Sequence, residues 1–166
     1  MDPISAFGIV TGAIQTIQII GATLQGLRTL QGKFSDAEST IHSLIVQLLT
    51  IKHALNQLHE WAKYRTEVSE HPDYLDGLDI AVDGCRMSME LLSEEISKLT
   101  RATTSAEDGS RIGTRARLRV VWNDPLMKDH EQRLQSQVLA LNFLLQVCQW
   151  FVIHFQYFID RVFSLN

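Results

Sequence analysis

Six histidines, two cysteines and a row of aspartates are the residues of this chain most obviously able to do chemistry. A metal centre needs several ligands converging on one point, yet His53 and His59 stand six apart, on different faces of any helix, and His42, His71, His130 and His154 are dispersed. They read as surface or core-edge histidines. Asp73, Asp76, Asp79 and Asp83 recur at steps of three and four, which makes a carboxylate row along one helix face. Opposite that row runs the apolar stripe that starts at Leu75, so the aspartates read as the wet side of an amphipathic helix. Cys85 and Cys148 fall on apolar positions and read as small core residues rather than nucleophiles. The patterns G-x-S-x-G, G-x-x-x-x-G-K-S/T, H-E-x-x-H and C-x-x-C are absent. The expectation is a protein that is not an enzyme and uses neither metal nor cofactor.

The elements that carry these residues are helical. Apolar residues at 45%, charged residues at 20% and only three prolines suit a globular chain, and 166 residues suffice for one domain with its own core. A net charge of -4 gives no overall reason to expect nucleic acid as a partner. Two cysteines on apolar stripes point to a reduced, intracellular setting, and no basic stretch precedes the first apolar run, which disfavours a signal peptide.

A first helix is predicted from Pro3, with Asp2 as N-cap, to about Leu30, with Gly32 as its stop. Ser35 and Glu38 form a capping box for a second, whose stripe is Ile41, Leu44, Leu48, Ile51, Leu55, Leu58 and Ala62, ending near Tyr64. A third opens at Pro72 and carries Leu75, Leu78, Val82, Cys85, Met89, Leu92, Ile96 and Leu99 at heptad spacing. Residues 103–113, "TTSAEDGSRIG", lack periodicity and read as a mobile loop. "RARLRVV" reads as a short helix. The last long helix starts at Pro125, capped by Asn123 or Asp124, and carries Leu134, Val138, Leu141, Leu145, Cys148, Val152, Phe155, Ile159 and Val162. With no strand pattern anywhere, residues 1–166 are expected to form a single all-α domain, an antiparallel bundle of four to five long helices.

The first helix is unusual. No charge occurs from Pro3 to Leu27, and four glycines do. Gly8, Thr11, Gln15, Gln18, Ala22, Gln25 and Thr29 share a narrow neutral face. Ile4, Phe7, Val10, Ile14, Ile17, Gly21 and Leu24 share an apolar one, widened by Ile9, Ala13, Ile20 and Leu27. A bilayer penalises a central charge by about 2.5 to 3.5 kcal/mol, whereas neutral Thr and Gln can hydrogen-bond between helices or to pore water. Residues 3–27 would span roughly 37 Å as a helix, against about 30 Å of hydrocarbon. Gly8-Ile9-Val10-Thr11-Gly12 is a G-x-x-x-G, which lets helix backbones approach closely in lipid or inside a bundle. Three readings remain open: a buried central helix, conditional membrane insertion, and a permanent anchor.

Arg111, Arg115, Arg117 and Arg119 concentrate positive charge beside the expected loop, as a lipid-headgroup contact or an ordinary solvated segment. The last helix lacks Asp, Glu, Lys and Arg from Leu134 to Ile159 and ends in "CQWFVIHFQYFID", a run that could cover the first helix, meet a partner chain or touch lipid.

The opening "MDPISAFGIVTGAIQTIQII", together with "RVVWNDPLMKDHEQRLQSQVLALNFLLQ", resembles the HeLo-like N-terminal domains of fungal STAND (NLR-type) receptors over roughly residues 1–150. Those domains are similar in architecture to the fungal HeLo domain and to the four-helix bundle of mixed-lineage kinase domain-like proteins. The resemblance implies a cell-death executioner of fungal innate immunity and heterokaryon incompatibility. Such a bundle rests in the cytoplasm, oligomerises when triggered, and permeabilises the plasma membrane through its first helix. It implies membrane lipids, anionic ones above all, and other copies of the chain as partners, with an NLR-type or amyloid-motif activator upstream. Gly8, Thr11, Gly12, Gln15 and Gln18 carry over from the family pattern. With Ile4, Phe7, Val10, Ile14, Ile17, Ile20 and Leu24 they make up the expected membrane-insertion set. Nucleotide-binding, ankyrin and amyloid segments found in many family chains do not occur in this sequence, and its aromatic C-terminal run exceeds the family pattern. The alternative is a non-lytic protein-interaction module in which the first helix stays buried.

Overall fold

A computed structural model describes residues 3–31, 38–64, 72–105 and 125–163, with side chains described for 8–31, 39–63, 76–103, 125 and 127–150. The described residues are all helical: α1 (Pro3–Gln31), α2 (Glu38–Tyr64), α3 (Pro72–Ser105) and α4 (Pro125–Phe163), with no strand among them. The boundaries follow from local chemistry. Proline stands first in α1, α3 and α4, where its missing N–H costs nothing and its fixed φ suits the first turn. α3 extends into the stretch expected to be a loop: residues 103–105 are helical. Thr103 is buried there and donates its hydroxyl to the Thr100 carbonyl at 2.7 Å. The rest of that stretch, the short-helix segment and the four arginines lie outside the described residues.

The stripes close into one core. Every predicted α2 position from Ile41 to Ala62 is buried, as is every α3 position from Leu78 to Leu99, and α4 contributes Leu134, Leu141, Leu145 and Cys148 with Met127 added. α1 packs on both α2 and α3, and α4 also packs on α2 and α3, so the molecule is an all-α bundle. Close contacts set the directions. Along α1, Gly8, Gly12 and Gly26 lie against Asp79, Val82 and Ile96 of α3, so this pair runs the same way. Ser43 of α2 donates its hydroxyl to the Glu131 carboxylate of α4, and Trp61 shares a cleft with Cys148, so α2 and α4 also run alike. The outer surfaces are laced by helical ion pairs: Arg86 with Asp83 and Glu90, Lys98 with Glu94 and Glu95, and Arg133 with Asp129. Such exposed pairs are screened by water and serve solubility more than stability.

Candidate functional site: the neutral helix and its seat

α1 lies in the groove between α2 and α3, and that groove selects which of its apolar rows is buried. The buried row is Ile9, Ala13, Thr16, Ile20, Thr23, Leu24, Leu27 and Leu30. Of the apolar face read from the sequence, Leu24 is buried, Val10 and Ile17 are half-buried at the edge of the core, and Ile14, at 41%, and Gly21 are exposed. The cause is the near-uniform apolarity of the helix. Two rows compete, and the longer aliphatic one, extended by Leu27 and Leu30, fits a groove built by two helices. The expected neutral face is found where it was predicted for Gln15, Gln18, Ala22, Gln25 and Thr29, all exposed, whereas Gly8 and Thr11 are half-buried. The Ile4 and Phe7 side chains lie outside the described residues.

The glycines serve the seat on α3. A Cβ at Gly12 would come within 3.0 Å of Val82 Cγ1, and one at Gly26 within 2.6 Å of Ile96 Cγ2. At Gly8 the neighbour, at 3.2 Å, is the flexible carboxylate end of Asp79. The G-x-x-x-G pair is therefore already used inside the chain, and Gly26, which the motif did not flag, is the tightest of the three. Fourteen residues beyond Gly12, and so on the same helix face, it could have been found by extending the wheel.

Two buried threonines accompany the aliphatic row. Thr16 donates to the Gly12 carbonyl and Thr23 to the Ile19 carbonyl, each at 2.8 Å, and exposed Thr29 donates to Gln25 at 3.0 Å. The side-chain hydrogen bonds described on α1 thus all return to its own backbone, one helical turn back. They travel with the helix. α1 is fastened by apolar contact and close backbone approach, whereas α2 and α4 are tied by the Ser43–Glu131 bond.

The other candidate residues are not brought together. Among the described residues no three metal-ligating side chains cluster, and His42 and His53 are exposed on α2. Asp76, Asp79 and Asp83 lie on the solvated face of α3, Asp83 paired with Arg86. Burial pushes the Cys85 thiol up to about 12, which keeps it protonated at neutral pH. His130 departs from the expected surface or core-edge placement: it is only 6% exposed, and its Nε2 has no hydrogen-bond partner among the described residues. Burial lowers its affinity for a proton, partly opposed by Asp129 and Glu95. A cleft of about 380 Å³ between α2 and α4 is lined by His53, Gln57, Glu60, Trp61, Leu145 and Cys148, among others.

Among the described residues no helix is long and apolar enough to cross a membrane. Set beside models of known families, curated proteins and solved structures, the chain matches none.

Proposed function

We propose that residues 1–166 form a single HeLo-like effector domain, an antiparallel four-helix bundle that oligomerises on activation and permeabilises the plasma membrane through α1. The observation that carries this reading is the character of α1. It is uncharged from Pro3 to Leu27, exposes glutamines and small residues rather than ionic ones, and satisfies its buried hydroxyls internally. A helix of that kind can exchange a protein groove for lipid without breaking an ion pair or stranding a hydroxyl. A lone α1 would leave its glutamine face in hydrocarbon, so insertion requires several copies whose neutral faces meet each other or water. That is why oligomerisation belongs to the mechanism. The bundle rests in the cytoplasm, with an NLR-type or amyloid-motif activator supplying the trigger and anionic lipid the target.

Dye release from vesicles of phosphatidylcholine and phosphatidylserine, with and without forced dimerisation, tests it. Ile14→Lys is the informative variant, because that position is already part-exposed and the folded bundle should accept the change within about 0.5 kcal/mol. Leakage that needs dimerisation and is lost in Ile14→Lys is the expected result; equal leakage from both proteins would sink insertion of α1.

A second reading is favoured by the glycine seat: a helix whose glycines already fit α3 could stay there permanently, leaving the domain to act by binding proteins. Strong hydrogen-exchange protection of residues 9–24 in dimerised protein with anionic vesicles would establish it.

A further inference from the structure

The four helices do not end at one level. α2 and α4 keep an offset of 88 residues at Ser43 and Glu131, and the cleft that joins Trp61 to Cys148 and Gln149 preserves it. Carried to Tyr64, the same offset sets the end of α2 level with Val152. α3 approaches α4 from the opposite direction. With Gly84 beside Gln137, its first residue, Pro72, is level with about Gln149. α1 rides beside α3, Gly8 against Asp79, so Pro3 is level with Tyr74. All three neighbours therefore stop near one plane, while α4 continues to Phe163, about eleven residues and ~16 Å farther at about 1.5 Å per residue.

The overhang begins within the uncharged stretch that runs from Leu134 to Ile159, and it contains Ile153, Phe155, Tyr157, Phe158 and Ile159. At helical spacing Phe155, Phe158, Ile159, Val162 and Phe163 continue the face that Leu141, Leu145 and Cys148 bury lower on α4, while Ile153 and Tyr157 fall on the outer half with His154, Gln156, Asp160 and Arg161. Leading to it along the outer side of α4 are Leu139, Phe143 and Trp150, at steps of four and seven and 66%, 65% and 55% exposed. The N-terminus of α1 lies at the same pole.

We infer that the α4 overhang is a membrane-docking element: it enters the headgroup region of a lipid bilayer and holds the pole that carries the start of α1 against the surface. Three observations favour lipid over a second copy of the chain. Aromatic residues are the ones that settle at the bilayer interface, and the overhang is rich in them. Apolar positions lie on both halves of the overhang, Ile153 and Tyr157 on the outer one, whereas a two-fold contact between copies would cover one side only. The placement also puts α1 where it must act, and in this respect the inference rests on the function proposed above.

Docking and leakage are separable, so the test reads vesicle co-sedimentation of the full chain as well as dye release. Wild type should sediment with phosphatidylcholine–phosphatidylserine vesicles. Phe155→Ser/Phe158→Ser should bind about tenfold or more weakly, since each buried ring alone is worth roughly that factor, while keeping its helical circular dichroism. Val46→Ser, at an exposed apolar position of α2 toward the opposite pole, should bind like wild type. A full-length Phe158→Cys protein carrying an environment-sensitive fluorophore should show a blue shift on adding vesicles, which covers the case in which the double variant misfolds. Unchanged binding of a folded double variant, or an unshifted probe, would overturn the inference. So would a dimer that the double variant abolishes without any effect on vesicle binding, which would assign the overhang to a second copy. Sound docking with no leakage would instead leave this element standing and count against the α1 mechanism.

Discussion

Gly26→Ala and Gly21→Ala are the same chemical change on the same helix, and the structure predicts opposite signs for them. In a helix interior, alanine gains about 0.8 to 1.0 kcal/mol over glycine. At Gly21, which is exposed and has nothing within 4 Å of the new methyl, that gain should appear nearly intact. At Gly26 the methyl would sit 2.6 Å from Ile96 Cγ2, inside contact distance. Ile96 is buried and β-branched, so it has little freedom to turn away. Overpacking of this kind costs about 1 to 3 kcal/mol, and with a stiff neighbour the upper half of that range applies. The net expectation is about 1 to 2 kcal/mol of destabilisation for Gly26→Ala and up to about 1 kcal/mol of stabilisation for Gly21→Ala. In a chain of this size 1 kcal/mol moves Tm by about 2 to 4 °C, so thermal unfolding followed by far-UV circular dichroism should separate the two variants by roughly 4 to 12 °C. Gly12→Ala, with Val82 at 3.0 Å, should fall between them. A Tm raised equally by the alanines at 21 and 26 would refute the tight α1–α3 seat. On the proposed function, the loosened Gly26 variant should also leak vesicles faster than wild type.

Two further outcomes follow from buried groups. The Cys85 thiol, pushed up to about 12 by burial, should not react with a disulfide reagent at pH 7.5 in folded protein, yet react readily once urea unfolds the chain; fast labelling of the folded state would contradict its burial. His130 is held below its ordinary value near 6.5, so the unfolded chain takes up that proton at a higher pH than the folded one: its contribution is complete above about pH 6.5 and is lost as pH falls below it, and the urea midpoint should drop between pH 7.5 and pH 5.5 by less in His130→Leu than in wild type.

How far these features could be read from the sequence differed with how contrasted each helix is. α3 sets ionic residues opposite its aliphatic stripe and the α2 stripe recurs without a break, so the stripes from Ile41 to Ala62 and from Leu78 to Leu99 named their buried faces correctly. The proline starts of α1, α3 and α4 were equally legible, because few other positions tolerate that residue. α1 gave less. With no charge to mark the wet side, its apolar rows were nearly equivalent, and only the groove between α2 and α3 decided that Ile9, Ile20 and Leu27 go in while Ile14 stays at the surface. Thr16 and Thr23, polar by type and assigned to neither face in the sequence, are buried, since a threonine that donates to the carbonyl one turn back presents mainly its methyl to the core. His130 was missed for a related reason: its place on the α4 stripe, four residues before Leu134, was read by residue type instead of by position.

The seat of α1 also explains why such a helix would need a trigger. Ile9, Ile20, Leu24, Leu27 and Leu30 are all buried, and at about 1.5 to 3 kcal/mol each, release of these side chains into water would cost roughly 8 to 15 kcal/mol. That is comparable to the whole stability of an ordinary domain, so α1 does not leave its groove into solvent. Release into lipid is a different matter, because hydrocarbon accepts the same side chains at little net cost and Thr16 and Thr23 bring their own acceptors with them. What remains is the neutral face. Gln15, Gln18 and Gln25 are exposed and hydrated in the bundle, and in a bilayer they need water or one another. On the proposed function the apolar side would make the exchange possible, and the glutamine side would make it conditional on several copies arriving together. Replacing all three glutamines by leucine should uncouple the two requirements. The variant should bind vesicles more strongly than wild type, no longer need dimerisation to insert α1, and release less dye, because no polar face is left to line a path for water. If it leaks as wild type does, with the same need for dimerisation, the neutral face plays no part in assembly.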